Sequence, residues 1–177
     1  MKEIVLSVKQ GNKEAFTELV LEIKNDLYKI CRMRLNNNDD IDEAIQETMI
    51  QAYKSLSSLK DVNKFKPWII TILINNCNKI YRKKQKTRTI VEEYDVERIG
   101  IDSNIEKTEA DINFHILIKD LKYEERVVII LYYMEQFTFK EIGKILHCSE
   151  STIKTRLYRA KEKIRDNCKR RDAKWII

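Results

Sequence analysis

Apolar and polar positions recur along this chain with the period of an amphipathic helix almost from end to end. Gly11-Asn12 interrupts a short opening helix, and Asn12 is placed to cap the next one. Ala15, Phe16, Leu19, Val20, Ile23, Leu27, Ile30 and Cys31 then trace one face to about Leu35. The run NNNDD, residues 36–40, predicts a turn rich in capping side chains. A helix over 41–56 follows, with Ile41, Ala44, Ile45, Thr48, Met49 and Ala52 inward. Residues 55–66 read as a loop. Pro67 stands where a first helical turn tolerates it, and a helix is expected from there to about Gln85. On it the stripe Trp68, Ile72, Asn75/Asn76, Lys79 is expected to place Trp68 in the core rather than on a base-stacking surface.

The periodicity fades over residues 87–111, where Gly100 lies mid-segment, and a linker is expected there. Ile112, Ile116 and Leu117 lead to Leu121 and resume the helical pattern. ERVVIILYYM, residues 125–134, is nearly all apolar and β-branched enough to permit a strand; its helical neighbours favour a helix. Thr138 and Glu141 have the spacing of a capping box before KEIGKIL. After His147-Cys148 comes SESTIKTRLYRAKEKI, residues 149–164. Its apolar positions Ile153, Leu157, Ala160 and Ile164 make a narrow stripe, and the other faces are basic and hydroxylic.

Composition agrees with an all-α protein. Three glycines and one proline in 177 residues leave few breaks. The net charge of +6 is unevenly spread: residues 87–111 carry −5, so the rest carries +11. Cys31, Cys77, Cys148 and Cys168 are scattered and include no C-x-x-C pair, as free thiols of a reducing cytoplasm would be. His147-Cys148 has no second pair at zinc-finger spacing, so neither a metal nor another cofactor is expected. The first residues turn polar too soon for a signal peptide, and no apolar run reaches membrane length.

Thr138 to Ile164 has the order and scale of a helix-turn-helix, whose second helix enters the major groove. Ser151 and Thr152 open that helix; Lys154, Thr155 and Arg156 are placed to reach base edges, and Tyr158, Arg159 and Lys161 to reach phosphates. Ile142, Ile145, Ile153 and Leu157 are expected to hold the two helices together. A second basic end is KIYRKKQKTR, residues 79–88, with six basic residues and no acid. Asn75, Asn76 and Asn78 precede it on the same helix, and Lys60, Asn63, Lys64, Phe65 and Lys66 in the loop before. Asp39, Asp40, Asp42, Glu43 and Glu47 could be imagined as a nuclease metal site. Asp39 and Asp40 read instead as turn and cap residues. Asp42, Glu43, Gln46 and Glu47 share one helical face, which suits a protein partner better than a reaction. With no Ser/His/Asp set and no glycine-rich phosphate loop, no catalytic role is expected.

These stretches carry a family likeness. In order they are GNKEAFTELV, DIDEAIQETMIQAYKSL, FKPWIITILINNCNKIYRKKQ and, after the linker, LKYEERVVIILYYMEQFTFKEIGKILHCSESTIKTRLYRAKEKI. Together, over about residues 10–168, they resemble a small sigma factor of bacterial RNA polymerase, of the extracytoplasmic-function class that has only the second and fourth sigma regions. Met49 departs from a common aromatic, and Ile70-Thr71 from a common aromatic-basic pair. The resemblance implies sigma region 2 over 1–86, an acidic linker over 87–111 and sigma region 4 over 112–177. It implies a transcription initiation factor that binds core RNA polymerase through both large subunits, with Asp42, Glu43, Gln46 and Glu47 on the clamp. Asn63, Lys64, Lys66, Asn75, Asn76, Lys79, Arg82 and Lys83 would engage the promoter −10 element and help open it. Ser151, Thr152, Lys154, Thr155, Arg156, Tyr158, Arg159 and Lys161 would read the −35 element. The class further implies a stress-response role in the bacterial cytoplasm, under an anti-sigma partner that is often membrane-anchored.

The linker's 25 residues could extend to about 85 Å, and a DNA turn is about 34 Å, so two basic units could read one duplex two turns apart. An autonomous helix-turn-helix regulator, binding a palindrome unaided, is the alternative reading. A nucleic-acid-processing enzyme using the 39–47 carboxylates is a third, and should show metal-dependent turnover.

Overall fold

The structure is a computed structural model that describes residues 1–32, 34–35, 37–88, 117–118 and 120–172. Side chains are described except at 85–88 and 170–172. The chain divides into two compact units, Met1–Ile99 and Gly100–Ile177. The described residues form seven α-helices and two 3₁₀ turns, with no strand among them. The expected linker at 87–111 falls, apart from residues 87 and 88, outside the described residues.

In the first unit α1 (Lys2–Lys9) packs on α2 (Lys13–Cys31). Asn12 caps α2 as its position suggests: Oδ1 accepts from the backbone N–H groups of Glu14 and Ala15 at 3.0 and 3.2 Å. Gly11 precedes it at φ 97°, a left-handed conformation that glycine adopts without a Cβ penalty. Helix α3 (Asn38–Ser55) begins three residues before its first apolar position. Its cap is Asn37, whose Oδ1 accepts from the Asp39 N–H at 2.8 Å; Asp39 and Asp40 lie inside the first turn, not at the cap. There their negative charges complement the positive end of the helix dipole.

The stretch expected as a loop contains two 3₁₀ turns, Leu56–Ser58 and Val62–Lys64, anchored by buried Leu56 and Leu59. Helix α4 (Phe65–Arg88) follows and shares its largest interface with α3. Its core face is Phe65, Ile69, Ile70, Leu73, Ile74, Cys77 and Ile80. The expectation that Trp68 lies in the core is therefore corrected. Trp68 and Ile72 are half-buried, and Asn75 and Lys79 on the same row are exposed. Two apolar rows overlap at the start of this helix. Burial goes to the row that stays apolar for four turns, not to the one that runs into Asn and Lys.

In the second unit the ambiguous apolar run is helix α5 (Tyr123–Tyr133). Val127, Val128, Ile129, Ile130 and Leu131 are all buried, so it is apolar all round because it is central. The Glu125 carboxylate accepts from the Lys122 backbone N–H at 3.0 Å and closes its N-terminus. Helix α6 (Phe139–Leu146) opens with the expected capping box: Thr138 Oγ1 accepts from Glu141 N–H at 3.3 Å and Thr138 N–H donates to Glu141 Oε2 at 3.1 Å. Helix α7 (Glu150–Asp172) packs against both α5 and α6. No helix among the described residues is long and apolar enough to cross a membrane.

Candidate nucleic-acid interface

The turn between α6 and α7 is set by three residues. His147 ends α6 in the left-handed region, at φ 53° and ψ 43°. The Cys148 N–H then donates to the Gly143 carbonyl at 2.9 Å. Ser149 Oγ accepts from the Thr152 N–H at 3.2 Å and starts α7. The chain folds back so tightly that a Cβ on Gly143 would lie 2.7 Å from the Cys148 carbonyl oxygen. Only glycine fits there without a shift. Spacing and charge do not single out Gly143; an isolated glycine within an apolar-periodic helix is the one signal of it in the sequence. Ile142, Ile145, Ile153 and Leu157 are buried between the helices, as expected.

That packing turns the other side of α7 outward. Ser151, Lys154, Thr155, Tyr158, Arg159 and Lys161 are exposed, and Thr152 and Arg156 are half-buried. Several of these side chains are oriented. Lys154 Nζ lies 5.6 Å from the centroid of the Phe139 ring, and Lys161 Nζ 5.4 Å from that of Tyr133. The Arg156 guanidinium donates to Cys148 Sγ at 3.6 Å, and Thr155 Oγ1 donates to the Ser151 carbonyl at 2.9 Å. Lys163 points inward instead and meets both Glu125 oxygens at 2.8 Å. Burial pushes the Glu125 carboxyl up. The Lys163 ammonium, the Lys122 N–H and the two lysine charges outweigh it and hold the group below the ordinary glutamate value.

In the first unit, Asn75, Asn78, Lys79, Arg82 and Lys83 line an open groove along α4. Amides beside cations, on an exposed helix face, can bind a phosphate backbone. The neighbouring Lys84 is committed elsewhere, its Nζ 2.6 Å from Asp40 Oδ2 of α3. Asn76 does not belong to this face and is a correction to the expected set. It is buried between α3 and α4, where Nδ2 donates to Thr48 Oγ1 at 3.1 Å and Oδ1 accepts from Gln51 Nε2 at 3.4 Å. One step along a helix turns a side chain by about 100°, enough to separate Asn75 in solvent from Asn76 in the core. In the loop before α4, Asn63 and Lys64 are exposed. Lys66 is half-buried and paired with Asp26 of α2 at 2.8 Å.

The acidic face of α3 is a separate surface. Asp42, Glu43 and Gln46 are exposed, and half-buried Glu47 accepts from Gln51 Nε2 at 2.8 Å. Ile50 and Tyr53 continue that helix outward, 40 % and 48 % exposed, with Tyr53 edge-on to Phe16 of α2. Neither stands out in the sequence as functional, although both fall outside the inward positions of α3. No cluster of three or more potential metal ligands occurs among the described residues.

Comparison with known proteins matches both units. The Sigma-70 region 2 family model matches residues 19–87, and the Sigma-70, region 4 model matches residues 114–164. The chain is 30% identical to the ECF RNA polymerase sigma-E factor of Haemophilus influenzae, over 91% of each chain. It is 29% identical to the ECF RNA polymerase sigma factor SigW of Bacillus subtilis, over 93% of this chain and 95% of the relative. Among solved structures, the sigma factor RpoE from Bartonella quintana, in complex with the anti-sigma factor NepR, superposes with a TM-score of 0.74 at 22% identity, covering 87% of this chain and 96% of that one. CnrH, in complex with the cytosolic domain of CnrY, gives 0.66 at 20% identity, covering 95% and 96%.

Proposed function

The chain belongs to the ECF RNA polymerase sigma factors, which are transcription initiation factors and not enzymes, and from that premise we propose how its surfaces divide the work. Residues 1–86 act as the unit that binds core polymerase and opens DNA, 112–177 as the unit that reads the upstream element, and 87–111 as the tether. The acidic face of α3, Asp42, Glu43, Gln46 and Glu47, docks on the polymerase. The groove of Asn75, Lys79, Arg82 and Lys83, together with Asn63 and Lys64 just before the same helix and Lys66 at its start, takes the −10 strand. The exposed face of α7 reads the −35 element: Ser151, Thr152, Lys154, Thr155 and Arg156 lie nearest the bases, and Tyr158, Arg159 and Lys161 nearest the phosphates. Opening the duplex moves bases out of the stack at a few kcal/mol each, which fits a factor that works through polymerase rather than alone.

The observation that carries this reading is the packing of α6 on α7. It leaves the N-terminal turns of a basic, hydroxyl-rich helix exposed, in the arrangement that enters a major groove. RpoE was solved with the anti-sigma factor NepR, and CnrH with the cytosolic domain of CnrY. We extend such a partner to this chain: an anti-sigma protein that covers the polymerase-binding surfaces and, where membrane-anchored, holds the factor at the inner face of the membrane.

The test is run-off transcription with sigma-free bacterial core polymerase, on genomic fragments that include the DNA upstream of this gene. Specific transcripts are expected with the native chain, and loss of at least about tenfold with Lys154→Ala/Arg156→Ala. No transcript, together with tight binding to a palindrome in the absence of polymerase, would replace this reading with the autonomous regulator.

A further inference from the structure

Two of the four cysteines meet inside the first unit. Cys31 Sγ lies 3.5 Å from Cys77 Sγ, and the two residues are 0% and 1% exposed. They are 46 positions apart, and they join the last residue of α2 to the middle of α4. The pair belongs to neither the α3 face nor the α7 face, so its chemistry does not depend on the sigma assignment.

We infer that Cys31 and Cys77 form an oxidant-reactive dithiol that hydrogen peroxide closes to an internal disulfide. A bonded pair of sulfurs lies about 2.05 Å apart, so the two have about 1.5 Å to close. The chemistry balances with one peroxide. The Cys31 thiolate attacks a peroxide oxygen and the O–O bond breaks. The hydroxide that leaves takes up a thiol proton as water, and Cys31 becomes a sulfenic acid. The Cys77 sulfur then attacks Cys31, the S–S bond forms, the S–O bond breaks, and a second water leaves. Two thiols lose two electrons and two protons, and the peroxide is reduced to two waters.

The fold sets the order of these events. Cys31 ends its helix, and helix ends open locally far more often than helix centres. Cys77 has α4 continuing on both sides. Cys31 is thus the sulfur that meets peroxide, and Cys77 resolves it. In the closed state reaction is slow, because the Cys77 hydrogen bond and burial both push the Cys31 thiol up and leave little thiolate. Once the sulfenic acid forms, its neighbour is already in place, and closure is fast. Cys148 and Cys168 are half-buried and lie in the second unit. The bond would enclose all of α3 in its loop and pin α4 next to Asn78 and Lys79 of the basic groove.

The experiment uses the full chain, reduced, freed of reductant and exposed to hydrogen peroxide. Alkylation under denaturing conditions and peptide mass mapping come next. The expected product is one cross-linked peptide pair joining Cys31 to Cys77. It should be accompanied by a rise of about 5–15 °C in the melting midpoint of the first unit, reversed by a thiol reductant. A Cys148→Ala/Cys168→Ala chain should behave identically, and Cys77→Ala should instead yield a Cys31 sulfenic acid that a dimedone probe traps. The inference is overturned if Cys31 and Cys77 are both recovered as free thiols while Cys148 or Cys168 is oxidised. It is equally overturned if Cys31 goes to sulfinic acid without cross-linking.

Discussion

Gly143 and Asn76 show how much can turn on one residue. At Gly143 any side chain meets the Cys148 carbonyl oxygen, so Gly143→Ala must push the α6–α7 turn apart. It is expected to destabilise the second unit by about 1–3 kcal/mol, read as a lower melting midpoint with the first unit unchanged. Asn76→Ala should likewise lower the stability of the first unit, by leaving Thr48 and Gln51 without their shared partner. Asn75→Ala, one position away and exposed, should leave stability within about 0.5 kcal/mol and weaken −10 binding instead. Thermal melts of the two variants beside transcription assays separate these outcomes. Glu125 supplies a pH dependence. Its folded pKa is below the unfolded one, so its contribution is present above the ordinary glutamate value of 4.5 and is lost as pH falls through the lower folded value. Glu125→Gln should therefore flatten the acid limb of the second unit's stability profile, measured by denaturation from pH 6 down to about pH 3.

Whole helices are the scale at which the sequence is most legible and at which its misdirections are most instructive. Caps at Asn12 and Thr138 can be read directly, because a capping side chain acts within three residues of itself. Helix α3 starts three residues before the apolar pattern does, because periodicity is blind to a polar first turn. The buried row of α4 is not the row that the Trp68 stripe indicates, because two rows fit the period and only the surface of α3 and α2 chooses between them. That choice leaves Trp68 and Ile72 half-buried, on the row that runs on to Asn75 and Lys79 of the basic groove. The helix faces also carry distinct expectations. Lys161→Ala on α7 should weaken DNA binding evenly across sequences and lower the salt slope by about one. Asp42→Lys/Glu43→Lys on α3 should abolish polymerase binding and leave DNA contacts by α7 intact, as polymerase pull-down and duplex binding by the same protein would report.

At the scale of the whole molecule, the chain is two small helical units, each with its own core and its own charged face. On the proposed reading each face makes only a few phosphate contacts. Joining them turns the second contact into an intramolecular one. Supplying residues 1–99 and 100–177 as separate chains, at the same concentration, is therefore expected to lose transcription by about a hundredfold or more, while each piece keeps its own melting transition. Retention of full activity by the separated pieces would show that polymerase alone positions both.

The sequence by itself determined the all-α class, the helix-turn-helix with its capping box, the acidic face of α3, the basic end of α4 and the basic face of α7. Each of these follows from short-range periodicity or charge, which neighbours along the chain cannot alter. Tertiary structure alone decided which lysines pair with acids of other helices: Lys66 with Asp26, Lys84 with Asp40 and Lys163 with Glu125. It also decided that Asn76 is a core amide, that Gly143 is obligatory, and that Cys31 and Cys77 touch. Those facts depend on residues dozens of positions apart, or on a backbone approach within a tight turn, and neither is written in the spacing of any one helix.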